Sequence, residues 1–180
     1  MTNTPNSIVD SRDPAVVLDD PLSRSMLDRD IARLAYTATN GTPRVIPISI
    51  HWNGAEIVMC TPPNGPKLAA LRRNPTVALT IDTEVHPPTI LLIRGTATLD
   101  HVDGIPDEYV TANTTYEMTA EQRAEWEVEI RSLYPSMVRI VVTPIWAKLI
   151  DFERTLPIAV EELVRKREQR RALADAAVTH

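Results

Sequence analysis

The chain has 180 residues, of which 43% are apolar and 24% charged, a composition typical of one soluble globular domain. Its formal net charge is −5, which argues against general nucleic-acid binding because that function needs a basic surface. The single cysteine, Cys60, excludes an intrachain disulfide and fits a reducing compartment. With no run long enough to cross a bilayer and no signal-peptide pattern, we expect a cytoplasmic protein that binds neither nucleic acid nor membrane.

The N-terminal part predicts a tail followed by a helix. Residues 1–20 are polar and predict a flexible tail, although the apolar run Pro14–Leu18 leaves open that this segment docks on the body or on a partner subunit. The segment Ser23–Ala35 has near-helical apolar spacing, with Ser23 or Ser25 able to cap its start. It predicts an amphipathic helix that leads into a short strand ending before residue 40.

Two Asn-Gly pairs, at 40–41 and 53–54, are strong hairpin signals. Between them lies a predicted strand, Arg44–Trp52, and a second strand follows at Glu56–Thr61. Pro47 removes one ladder donor, so it marks an edge, a bulge or a place where the ladder stops. The two pairs together predict an antiparallel meander.

The remaining pattern predicts an antiparallel barrel, closed or half closed, with peripheral helices. At least six strands are expected, most of them sequential, and the alternation of a parallel sheet is absent, as is any phosphate-binding glycine fingerprint. The further elements are a Gly/Pro loop at 62–66, a helix at Lys67–Arg73, strands at Thr76–Ile81, Thr89–Leu99 (with Gly95 at a bend or bulge) and Met137–Ile150, a helical stretch from Asp103 to Ser132, and a final helix from Pro157 to about Ala176.

Two basic residues have no obvious structural reason for their positions. Arg44 opens a strand, and Lys67 opens a helix after the Gly/Pro loop. A helix start favours an anion, and a lysine there is unfavourable unless an anion is bound. Arginine can also grip a phosphate with two hydrogen bonds, and Thr61 offers a hydroxyl at the preceding strand end. Together they predict a phosphate cup; the alternative is that both cations are ordinary surface charges.

The ordered set of motifs resembles the pyridoxamine 5′-phosphate oxidase-like family, the flavin- and deazaflavin-binding split-barrel oxidoreductases. The resemblance covers about Ala32 to Phe152, while the N-terminal tail and the charged C-terminal helix depart from it. The residues that match the family's order are Arg44, Thr61, Lys67, Leu71, Asn74, Pro75, Gly95, Ala97, Pro144, Trp146 and Asp151.

This resemblance implies a mainly β (α+β) fold, an antiparallel split β-barrel. The implied organisation is a tail at 1–20, a cofactor-binding split-barrel domain at 21–155 and a C-terminal helix at 156–180. It also implies a homodimer with two cofactor sites at the subunit interface. The cofactor would be FMN or coenzyme F420, between which the sequence does not decide.

The family pattern also implies which residues hold the cofactor. Arg44, Thr61 and Lys67 would bind the phosphate, and Leu71 is a further expected cofactor-binding residue. The ring would lie along the backbone of Ile46, Pro47 and Ile48. The partner chain would close the ring site through Trp146 or the segment Tyr109–Tyr116. The implied reaction is hydride transfer to or from a small organic substrate.

No catalytic residue and no metal ligand can be assigned from the sequence. The histidines show no metal-ligand spacing, and Cys60 in an apolar run is interpreted as a buried inert thiol. A second function therefore stays open: a non-catalytic protein that binds or stores a flavin, a deazaflavin or haem. A third is an interaction module in which Arg44 and Lys67 are surface charges.

Overall fold

The computed structural model describes residues 11–113, 118–152 and 158–178. These residues form six helices and one seven-stranded antiparallel sheet in the order β2-β1-β5-β6-β7-β4-β3. The strands are β1 (Ile31–Thr37), β2 (Pro43–Ser49), β3 (His51–Trp52), β4 (Ile57–Thr61), β5 (Thr76–Asp82), β6 (Thr89–Asp103) and β7 (Ser136–Asp151). The helices are α1 (Pro14–Val17), α2 (Pro21–Leu27), α3 (Pro66–Arg73), α4 (Asp107–Ala112), α5 (Ala120–Leu133) and α6 (Ile158–Val178).

The sheet curls into a barrel that stays open along one seam. β2 and β3 are separated by the single buried residue Ile50, yet they lie at opposite edges of the sheet. The two edges must therefore meet at Ile50, although they share no ladder. The predicted split barrel is confirmed. Both Asn-Gly hairpins are present, with Gly41 and Gly54 at positive φ, but they lie at opposite edges instead of forming one meander.

The prediction of one helix over Ser23–Ala35 is wrong. α2 ends at Leu27, and its cap is the carboxylate of Asp20, which accepts hydrogen bonds from two backbone N–H groups of the first turn. The chain then enters β1 at Ile31. Burial alternates at the start of this strand: Ala32 and Leu34 are buried, while Ile31 and Arg33 are exposed. Ile31 and Leu34 lie four and seven residues after Leu27, so over this short stretch they also fit a helical stripe.

The apolar run of the predicted tail docks on the barrel, one of the two possibilities that the sequence left open. Val17 and Leu18 are buried and belong to the core cluster. The carbonyl of Arg12 accepts a hydrogen bond of 3.2 Å from the backbone N–H of Ala147 on β7. Residues 1–10 of the predicted tail lie outside the described part of the chain. The predicted domain boundary at residue 20 stays a prediction.

The two longest strands, β6 and β7, form the ribbon that wraps the core. Their register shifts between Arg94 and Gly95, where the sequence predicts a bend or bulge. A Cβ on Gly95 would lie 2.6 Å from the carbonyl oxygen of Thr143 and 2.6 Å from a methyl carbon of Val142. Since the first of these is backbone, only glycine fits at this crossing.

The predicted helical stretch Asp103–Ser132 contains α4 and α5, which lie on the outside of the barrel; Tyr116 lies outside the described residues. The final helix is present as α6. Of the helices in the described ranges, none is long and apolar enough to cross a bilayer. The core fills the barrel interior, and α3 contributes the buried Leu68 and Leu71 to it.

Candidate functional site

Thr61, Gly65 and Lys67 come together where β4 ends and α3 begins. Thr61 is the last residue of β4 and is 3% exposed. The loop after it turns back so closely that a Cβ on Gly65 would lie 2.9 Å from the Thr61 Oγ1. The Thr61 hydroxyl makes no hydrogen bond to another residue that the structure describes. Glycine thus leaves an open cradle beside a free hydroxyl.

No side chain of the described residues caps the N-terminus of α3. Gly65 is the N-cap residue and Pro66 opens the first turn. The free N–H groups of a helix start, with the positive end of the helix dipole, attract anions when no side chain satisfies them. We call Thr61, Gly65 and Lys67 at this helix start the phosphate cup.

Lys67 is half-buried, and burial lowers the pKa of its ammonium group. No carboxylate of the described residues lies within ion-pair distance of it. A partly dehydrated cation without a counter-ion is unfavourable on its own, particularly at the positive end of a helix. The position therefore favours a bound anion. The donor set of the cup fits a phosphate group.

Arg44 lies at the same end of the barrel as α3. It is exposed on the edge strand β2, and its Nη1 donates to the carbonyl of its neighbour Pro43 at 3.2 Å. The preceding β1–β2 turn is joined to α3, because the Arg73 Nη1 donates to the carbonyl of Thr39 at 3.2 Å. Arg44, Arg72 and Arg73 pair with no carboxylate within the described ranges, so this end of an acidic chain is locally positive.

The predicted ring strand is an open sheet edge. Ile46 and Ile48 are half-buried and point to the barrel interior, since they pair with Leu34 and Ala32 of β1. Pro47 is exposed on the opposite face. Among the described strands, β2 pairs with β1 only, so no described strand lies along the other side of its backbone.

Comparisons with solved structures identify this architecture. No protein-family model and no curated protein matches the chain. An F420 reductase superposes with a TM-score of 0.54 and 25% identity, over 69% of this chain and 94% of its own. A protein from Listeria innocua assigned as a pyridoxamine 5′-phosphate oxidase gives 0.51 and 19%, over 74% and 98%. A conserved hypothetical protein from Mycobacterium tuberculosis gives 0.56 and 18%, over 83% and 90%.

The chain has the split-barrel fold of the pyridoxamine 5′-phosphate oxidase-like proteins. The resemblance drawn from the sequence is thereby confirmed. These matches concern the barrel, and the assignment of individual site residues stays a prediction.

Two predicted site residues of this split barrel lie apart from the cup. Leu71 is 2% exposed in the core, which leaves it little surface for a ligand. Trp146 lies on β7 eight positions beyond Val138, the residue opposite Thr61. At about 3.4 Å per residue, this places it up to roughly 27 Å from the cup along the strand. Its ring stacks with Arg94, whose guanidinium carbon lies 4.3 Å from the ring centroid.

A pocket of about 220 Å³ between β4 and α4 was not foreseen from the sequence. It is lined by Ile48 of the predicted ring strand, by Cys60 and by residues of α4 that are about 50 positions away in the chain. Sequence spacing carries no signal for such a long-range contact. Cys60 is half-buried in this wall, whereas its apolar neighbours predict full burial.

Proposed function

We propose that this split-barrel protein binds FMN or coenzyme F420 and transfers hydride between that cofactor and a small organic substrate. The observation that carries the proposal is Lys67, a half-buried cation without a carboxylate partner in the described residues. The same cup contains the Thr61 hydroxyl, which is unpaired among the described residues and which a Cβ on Gly65 would approach to 2.9 Å. Both cofactors carry a phosphate and a tricyclic ring, and the cup matches their common phosphate end.

Each part of the site has a defined task in this proposal. Lys67 and Arg44 neutralise the phosphate, and Thr61 donates a hydrogen bond to it. The open edge of β2 at Ile46–Ile48, where Pro47 directs its carbonyl away from β1, provides backbone against which a planar ring can lie. When bound, either cofactor supplies the hydride-transfer chemistry, and the protein orients the reactants and excludes water.

Two observations favour F420 over FMN. One of the matching structures is an F420 reductase with 25% identity. In addition, the exposed Arg72 and Arg73 continue the positive surface beyond Lys67, and neither has a carboxylate partner within the described ranges. F420 carries a longer anionic tail than FMN, so a longer basic surface suits it better.

A homodimer belongs to the same proposal, and the outer face of the sheet supports it. One row of paired residues crosses five strands on this face: Val45, Ala35, Ala78, Arg94 and Trp146. Val45 is 64% exposed, although it is apolar. A second copy packed on this row would cover it, and Trp146 of that copy is the residue expected to complete the ring site.

The test is to purify the protein from a host that makes deazaflavin and to record its absorption spectrum. We expect a bound chromophore with the spectrum of F420 or of a flavin, in a protein that sediments as a dimer. Turnover of the reduced cofactor with a panel of small organic acceptors then separates an enzyme from a carrier. A colourless protein without affinity for either cofactor would contradict the proposal.

The pH dependence of binding gives an independent prediction. The phosphate needs protonated Lys67, and burial lowers the pKa of this group below the usual value of about 10.4. Cofactor affinity should therefore decline as the pH rises through that lowered pKa. Without cofactor, the stability of the fold should instead increase as the pH rises through this range. Deprotonation of Lys67 removes the unfavourable burial of its charge from the free energy of folding.

Titrations of cofactor affinity against pH check this, with Lys67→Arg as the matched control. Arginine stays charged over the whole range, so the variant should bind with an affinity that changes little between pH 7 and 10. An equal decline in the wild type and in Lys67→Arg would assign the effect to another group.

A further inference from the structure

The pocket of about 220 Å³ lies between α4 and β4, next to the edge strand β2. Val58 and Cys60 face it from β4, while Ile48 closes it from the end of β2. It is smaller than the roughly 300–1,000 Å³ of pockets for drug-sized ligands. By the liquid volume of water, about 30 Å³ per molecule, it holds roughly seven waters, the space of a single-ring compound.

The helix that covers the pocket is fixed by specific polar contacts. The Ser49 hydroxyl donates to the Asn113 Oδ1 at 3.0 Å, and the Asn113 Nδ2 donates to the carbonyl of Tyr109 at 2.7 Å. Glu108 is held by an ion pair with Arg139 of β7. These contacts tie both ends of α4 to the sheet, so the pocket is preformed.

The described residues that line the pocket provide no free positive charge. The guanidinium of Arg139 is shared between Glu108 and Asp100, two carboxylates for one cation. Burial, together with the Glu108 carboxylate, raises the pKa of Cys60 to about 12, and the opposite effect of Arg139 is smaller. Burial also raises the pKa of Tyr109. The local field is thus negative, and both side chains keep their protons as hydrogen-bond donors.

We infer that this pocket binds a molecule of about one ring that carries no negative charge, through a hydrogen-bond-accepting oxygen, and that it is the substrate end of the site. This inference rests on the proposed function for its second part. Two lining residues adjoin proposed cofactor residues: Ile48 ends the ring strand, and Pro62 follows Thr61 of the cup. The molecule would lie beside the ring, while anions are directed to the cup and away from the pocket.

A matched pair of probes tests the charge preference. Benzamide and benzoate have nearly the same shape and differ by one charge. In ligand-observed NMR titrations of the wild-type protein, with and without added FMN or F420, we expect benzamide to bind and benzoate to bind at least tenfold more weakly. Equal binding of the two probes, or tighter binding of benzoate, would overturn the inference.

Two variants locate the binding. Ala112 is 8% exposed and lines the pocket, so Ala112→Leu should fill it and lower benzamide affinity at least tenfold. Ala124→Leu, the same change on the exposed face of α5, should leave the affinity within twofold. If Ala112→Leu does not fold, Tyr109→Phe, which removes only the hydroxyl, replaces it as the test and should also weaken benzamide binding. An unchanged benzamide affinity in the folded Ala112→Leu protein would overturn the inference. If Tyr109→Phe is used instead, an unchanged affinity in that variant would overturn it.

The two proposals fail in different ways. If FMN or F420 binds at the cup but benzamide does not bind, the pocket inference is wrong and the proposed function stands. If benzamide binds with the expected preference but neither cofactor does, the cofactor assignment is wrong and the pocket is a site of its own. Ala112→Leu should also leave cofactor affinity within twofold, since the phosphate cup lies on α3.

Discussion

Replacing Lys67 with alanine is expected to weaken cofactor binding at least tenfold, which corresponds to about 1.4 kcal/mol. The substitution removes the half-buried cation of the phosphate cup and leaves the backbone of α3 unchanged. A hydrogen bond to a charged group contributes about 1.5–3 kcal/mol. The loss of affinity should therefore be more than tenfold when the phosphate is well enclosed. Titration of the purified variant with FMN and with F420 measures it.

Lys166→Ala is the matched control, because Lys166 is an exposed lysine on α6. It should bind cofactor as the wild type does. Thermal unfolding without cofactor should show that Lys67→Ala is at least as stable as the wild type, since the lysine opposes the dipole of its own helix. Unchanged affinity of Lys67→Ala for both cofactors would refute the placement of the phosphate.

Leu71→Ala is expected to lower the free energy of unfolding by about 2–5 kcal/mol. Leu71 is 2% exposed and anchors α3 in the core at one end of the barrel. Its loss leaves a cavity beneath the helix that carries Lys67, and the surrounding strands can fill it only in part. Denaturant unfolding measures the change. Leu133→Ala, at a side chain 64% exposed on α5, should change stability by less than about 0.5 kcal/mol.

The same variant tests the sequence prediction that Leu71 takes part in cofactor binding. If Leu71 acts by packing alone, the folded Leu71→Ala protein should bind cofactor with nearly wild-type affinity at low temperature. A large loss of affinity in a sample that is shown to be folded would instead make Leu71 a cofactor contact. The affinity measurement and the check of folding use the same Leu71→Ala protein as the denaturant unfolding.

Features written in short stretches of sequence could be predicted. The Asn-Gly turns need only the glycine's access to positive φ, which Gly41 and Gly54 adopt. The helix α3 is bounded by prolines on both sides, so its limits follow from missing N–H groups. The bulge at Gly95 follows from a lone glycine within a long β-branched run. Each of these signals is local, and tertiary packing agrees with it.

Features that depend on contacts between distant residues could not be predicted from the sequence. Ile31 and Leu34 fit a helical stripe, yet pairing with β2 and β5 makes this segment a strand, which places the two side chains on opposite faces. The opposite-edge placement of the two hairpins is likewise a matter of sheet order. At the site, the charged residues were visible in the sequence, whereas the cradle at Gly65 depends on where its loop folds back. The pocket under α4 depends on a helix about 50 residues distant.

The two prolines of β2 have a consequence for how molecules of this protein meet one another. Pro43 and Pro47 are four residues apart, so their backbone groups point to the same side of the strand. A proline fits a ladder only where its nitrogen points away from the paired strand, so this side is the open edge. By the same alternation, Val45 and Ser49 also direct their backbone groups to the open edge. That edge therefore has carbonyls at all four positions but N–H donors at only two. A foreign strand cannot complete a ladder on it, so the open seam resists the edge-to-edge aggregation that a free strand usually invites.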